Sequence, residues 1–143
     1  MSATAGDAAQ KGAGSRLGFK PDMVIQELGW DDDVDEELRV VIEGLTGNSL
    51  VDDEHGDVVD GVLLWWREDD GDLVDGLVDA LTDLVDGGVI WLLTPKVGRD
   101  GHVDPADIAD AAPTAGLATT SSLAIGKEWS ATKLVAPKSQ QRR

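Results

Sequence analysis

Apolar positions along this chain keep two rhythms in alternation. Residues 23 to 28, MVIQEL, form a short apolar run between Pro21 and Gly29 and predict a first strand. In the following DDDVDEELRVVIEGLTG, residues Val34, Leu38, Val41, Ile42 and Leu45 recur at helical spacing on one face. Asp33 with Glu36 three residues on predicts a capping box, and acids in the first turn suit the helix dipole. Gly44 and Gly47 can end that helix. Residues 49 to 51 leave room for a very short strand before the loop DDEHGD.

The stretch VVDGVLLWW, 58 to 66, reads as a strand whose second half is apolar on both faces, which predicts cover on both sides of a sheet. Residues 72 to 86 place Leu73, Leu77, Leu81, Leu84 and Val85 on one face with acids elsewhere, and predict an amphipathic helix closed by Asp86-Gly87-Gly88. VIWLLTP, 89 to 95, predicts another buried strand. Asp104 and Pro105 then open a third helix, ended or kinked at Pro113. Residues 117 to 125 and 131 to 136 read as two strands, and the short GKEWS link makes them an antiparallel hairpin. Alternation of this kind predicts an α/β fold, a three-layer sandwich with helices on both faces of a mostly parallel sheet of five or six strands. We expect a single domain over 17–138, a disordered leader of small residues over 1–16 and a disordered basic tail over 139–143.

Composition narrows the function classes. With no cysteine, thiolate metal sites and cysteine nucleophiles are excluded, and a reducing cytoplasm is the expected compartment. No apolar run approaches the roughly 20 residues that span a bilayer. The net charge of −16 disfavours a nucleic-acid backbone or an anionic membrane as partner. Residues 22 to 72 carry 18 acids against Arg39 and Arg67 alone, whereas from Lys127 onward five basic residues face one acid, Glu128. Such a surface is either simply well solvated or a face that docks a basic partner.

The segments DGVLLWWRED, LTDLVDGGVIWLLTPK and GKEWSATKLV look like the actinobacterial family known as domain of unknown function 3052. From Asp57 to Lys138 the element order also resembles the second half of the class I methyltransferase fold. That resemblance implies a Rossmann-like sheet and, in an active member, S-adenosylmethionine held by a glycine-rich turn after the first strand. Here the corresponding stretch is ELGWDDD, with Gly29 alone and Trp30 where a small residue is needed. An acid to hold the ribose would have to be Asp52 or Asp53.

In open α/β sheets ligands bind at the carboxyl ends of the strands, near the switch point. That rule selects Gly29 and Trp30 after the first strand, Arg67 and Lys96 after the next two long ones, and Trp129 and Ser130 in the closing hairpin. Arg67 with Lys96 could hold a carboxylate or phosphate, and a tryptophan could stack on a ring or on the guanidinium. The structural alternative is equally concrete. Trp65 and Trp66 would pack under opposite helices, Arg67 would pair with Glu68, Asp69 or Asp31, and Lys96 would cap a loop. His55 with Asp52 and Asp53 is a weak cation site, and DDGDLVDG lacks the acid that closes a calcium loop, so no metal is expected. No nucleophile elbow or triad is present. We therefore expect a non-catalytic, cofactor-free methyltransferase-like domain, acting through a protein partner or a small anionic ligand. The alternative is a divergent S-adenosylmethionine-dependent methyltransferase or other nucleotide-dependent enzyme.

Overall fold

A computed structural model describes residues 17–136; the expected leader and basic tail lie outside the described residues. The fold is α/β. Strands β1 (Ile25–Leu28), β2 (Val59–Trp65), β3 (Leu84–Pro95), β4 (Ala118–Ile125) and β5 (Trp129–Val135) form one sheet in the order β1-β2-β3-β5-β4. The helices are α1 (Glu36–Thr46), α2 (Leu73–Leu81) and α3 (Pro105–Thr114).

The sheet is mixed, which corrects the expectation of a mostly parallel one. β1, β2 and β3 run parallel, but β5 lies antiparallel to both β3 and β4, so the closing hairpin supplies half of the four pairings. The residue 49–51 segment contracts to a single parallel bridge, Val51 to Gln26, and does not lengthen the parallel part. That bridge sets the topology all the same. It lies on the side of β1 away from β2, with Glu27 N–H donating to Val51 O and Val51 N–H to Ile25 O. The chain thus leaves β1 one way through α1 and then reverses over residues 52–58 to begin β2 on the other side. The reversal puts α1 and α2 on opposite faces and makes β1/β2 the switch point.

Two cores result. On one face Leu38 and Ile42 of α1 pack with Ile25, Trp65, Trp91 and Trp129. On the other, Leu77 of α2 and Ile108 of α3 pack with Val62, Leu64, Ile90 and Leu92. Trp65 and Trp66 do point to opposite faces. Trp66 lies against Gly76 of α2, where a Cβ would come within 2.5 Å of the indole. The glycine inside this helix is therefore a packing device: it lets the helix approach the ring.

The α2 to β3 boundary differs from the sequence expectation. Leu84 and Val85 belong to the sheet, because Val59 N–H donates to Asp83 O and Leu84 pairs with Val59. The register then jumps from Val59–Leu84 to Gly61–Val89, so Val85 to Gly88 bulge out and the continuous ladder begins at Val89. Asp86-Gly87-Gly88 forms this bulge and is not a helix stop.

Candidate functional site

At the carboxyl edge, Arg67 follows β2 and ties three segments together. Its Nη1 donates to Gly29 O at 2.7 Å, its Nε donates to Asp33 Oδ2 at 3.2 Å and its Nη2 to Asp33 Oδ1. Nη1 also stands 3.5 Å from Asp70 Oδ2, and the same carboxylate accepts the Arg67 backbone N–H. The guanidinium lies over the Trp129 ring, 5.4 Å from its centroid, in cation–π geometry. Trp129 meets Trp65 edge to face with centroids 4.9 Å apart, and its Nε1 donates to Asp33 O. The turn after β1, the start of α1, the β2 loop and the hairpin are thus joined through one arginine.

Asp33 serves this brace and does not cap the helix. The N-cap of α1 is Asp35, whose side chain accepts from Leu38 N–H. Burial is the largest single influence on Arg67 and works against its charge, but the hydrogen bonds and charges of Asp33 and Asp70 together outweigh it and hold the guanidinium more firmly protonated than usual. The hydrogen bonds from Arg67 lower the Asp33 carboxyl below the ordinary 3.8. A lowered folded-state pKa stabilises above the unfolded value and is lost as pH falls through the folded one. We therefore expect the stability deficit of Asp33→Asn relative to wild type to be full at neutral pH and to shrink below about pH 4. Urea midpoints across that range check it; a deficit independent of pH would mean that the charge of Asp33 contributes nothing.

Beside the brace, on the α2 face, a groove of about 600 Å³ opens over β1 and β2. Leu28, Leu64 and Trp66 contribute apolar wall, and Trp30, 53% exposed, stands at its edge. Five carboxylates line it, those of Asp31, Asp53, Asp70, Asp79 and Asp83, against the single cation Arg67. Asp53 comes just after the Val51 bridge, on the far side of β1 from Arg67.

Of the residues selected by the strand-end rule, Gly29, Trp30 and Arg67 share this groove. Trp129 is buried beneath Arg67 at 1% exposure, so its ring meets the guanidinium and no solvent. Lys96 and Ser130 stand apart from the groove. Lys96 Nζ donates to Gly126 O, tying the end of β3 to the hairpin turn, and Ser130 is a ladder residue facing Thr94. Gly29 has a strict steric role, because a Cβ there would lie 2.2 Å from the carbonyl oxygen of Trp65. Sequence reasoning missed Asp33 as the partner of Arg67, and it missed Asp70, Asp79 and Asp83 as groove walls. One signal was present: a glycine in the middle of LVDGLVDAL marks a close approach, here to Trp66.

Comparison with known proteins agrees with this architecture. An uncharacterised protein of Mycobacterium tuberculosis is 55% identical over 125 residues, spanning 87% of this chain and 78% of its own length. An uncharacterised protein of Mycobacterium bovis matches to the same extent. Among solved structures, precorrin-6y C5,15-methyltransferase from Geobacter metallireducens superposes with a TM-score of 0.61 at 12% identity, covering 90% of this chain and 87% of that one. A SAM dependent methyltransferase from Aquifex aeolicus gives 0.56 at 13% identity, covering 88% of each chain. Magnesium protoporphyrin IX methyltransferase from Synechocystis, with bound SAM, gives 0.52 at 12%, covering 94% of this chain and 78% of that one. Identities this low speak for the fold alone. The family described as Protein of unknown function (DUF3052) matches over residues 14–138, and this chain, with its methyltransferase-like fold, belongs to that family.

Proposed function

We propose that this protein is a non-catalytic methyltransferase-like domain of the cytoplasm that works by binding, and that its groove receives a basic segment of a partner protein. The observation that carries the reading is the charge of the groove. Five carboxylates surround it, and its one cation is already shared between Asp33 and Asp70. A small anion would have to displace Asp33 from Arg67 while approaching those carboxylates. A lysine or arginine side chain meets them directly and can lie on the exposed Trp30.

The residues of the first turn do not fit the adenosyl cofactor carried by the Synechocystis structure. The turn is closed against β2, with Gly29 facing the Trp65 carbonyl and its own carbonyl taken by Arg67. An amino-acid carboxylate brought there would meet Asp31 with no free cation among the lining residues to balance it. One observation favours the second reading, a divergent nucleotide-dependent methyltransferase. Trp30 borders the groove without filling it, and Asp53 stands on its wall where a ribose could be held.

The binding reading is tested with a short lysine- and arginine-rich peptide and its glutamate-rich counterpart, followed by tryptophan fluorescence. The basic peptide is expected to bind and the acidic one not. Trp30→Ala should weaken binding about fivefold, roughly 1 kcal/mol for an exposed cation–π contact, and high salt should weaken it further. Equal affinity for both peptides would overturn the reading.

A further inference from the structure

We propose that the free edge of β4 pairs antiparallel with β4 of a second copy of this chain, making a two-fold dimer with one continuous sheet. The two sheet edges differ. β1 has four residues, and its outer side already carries the Val51 bridge. β4 has eight, ATTSSLAI, and among the described residues its outer side pairs with no strand. An open edge is normally protected by lysine, proline or a bulge along its length. β4 contains no charge and no proline, and its one irregularity falls between Thr119 and Ser121. From Ser121 to Ile125 the register against β5 is regular, which leaves a straight run of backbone donors and acceptors facing outward.

Charge decides who can come to this edge. The chain carries 28 acids, and Glu128 is the only one after Asp110, so 27 of them precede β4. Two copies at −16 each repel one another over most of their surface. β4 itself carries no carboxylate, so pairing it with a second β4 sets no acid against another within the strand pair. A two-fold contact needs a self-complementary patch, and an uncharged antiparallel strand is one. A cleft of about 300 Å³ runs beside the edge, between Ile108 and Ala109 of α3 and residues Thr119, Ser121 and Ser122 of β4. It gives side chains of an added strand a place to pack.

The test uses the full chain. Sedimentation equilibrium should show a mass twice that of the chain at high concentration, falling to the monomer on dilution. Ser122→Glu puts a carboxylate near its own symmetry copy on an exposed site, and should give a monomer with an unchanged thermal midpoint. The chain has no cysteine. Ser122→Cys should therefore cross-link through a short bismaleimide at least about tenfold faster than Val58→Cys, an exposed control just before β2, which β3 and β5 separate from β4, because neighbouring strands bring facing Cβ atoms to roughly 5 Å. A monomer at every concentration would overturn the proposal, including the case where another protein's strand occupies the edge. So would a dimer that Ser122→Glu leaves intact and that cross-links no faster than the control.

Discussion

Gly29→Ala is expected to cost about 3 kcal/mol or more, well beyond an ordinary glycine substitution. Two causes add at this position. The backbone sits at φ 78°, in the left-handed region that a side chain disfavours. The new methyl would also lie 2.2 Å from the carbonyl oxygen of Trp65, an atom fixed inside the sheet. Neither side can yield cheaply, so the turn must move away from β2. That movement pulls Gly29 O from Arg67 Nη1 and loosens the brace. Gly47→Ala provides the control. It has the same φ of 78° at the end of α1, but a Cβ there meets nothing within 4 Å. Its loss should be about 1 kcal/mol, from backbone conformation alone. Urea unfolding of the two variants separates the terms. Equal losses would show that the first turn is free to shift, and that its closure against β2 is not rigid.

Arg39→Met should be comparably severe. Glu27 on β1 faces α1 with only 7% of its side chain exposed, and Arg39 holds it with two hydrogen bonds, Nε to Oε2 at 2.7 Å and Nη2 to Oε1 at 2.9 Å. Trp65 Nε1 donates to the same carboxylate at 2.9 Å, and Glu36 takes the remaining Arg39 contact. The hydrogen bonds that Arg39 donates to Glu27 hold the Arg39 pKa well above the usual arginine value, against a smaller opposing effect of burial. Removing the arginine leaves a buried carboxylate with the indole as its main partner, which costs about 3 kcal/mol. For a domain of this size that lowers the thermal midpoint by roughly 10 °C. The double variant Arg39→Met with Glu27→Gln should recover most of the loss. The neutral amide still accepts from Trp65, and no charge is left buried. No recovery would mean that Arg39 acts by packing alone.

These networks show what a sequence does and does not disclose. The helix over α1, the twin buried strands β2 and β3 and the closing hairpin were legible, because each has an apolar rhythm that tertiary contacts leave in place. The cap of α1 was not. The run DDDVDEE offers several acids that can cap, and the choice of Asp35 follows from Asp33 being drawn to Arg67, which stands 34 residues further along. The end of α2 was misplaced for a related reason. Leu84 and Val85 continue the helical apolar spacing, but the pairing of Val59 with Asp83 and Leu84 pulls them into the sheet. The sheet itself is mixed because the closing hairpin supplies two antiparallel pairings, while residues 49 to 51 add one parallel bridge and no further strand. The strand-end rule brought Gly29, Trp30 and Arg67 together. It could not foresee that the cation would be neutralised, nor that Asp79 of α2 and Asp83 just beyond its end would reach the same groove, since those contacts depend on a helix being let in close by Gly76.

The proposed function requires a carboxyl edge that is braced by Arg67 and does not take the adenosyl cofactor. Calorimetric titration of S-adenosylhomocysteine into the purified protein, with Arg67→Ala beside wild type, tests it most directly. We expect no binding heat from either protein at millimolar ligand. Wild-type binding tighter than about 100 μM, roughly 5.5 kcal/mol, would contradict the non-catalytic reading, and its loss in Arg67→Ala would place the ligand at the Arg67 edge.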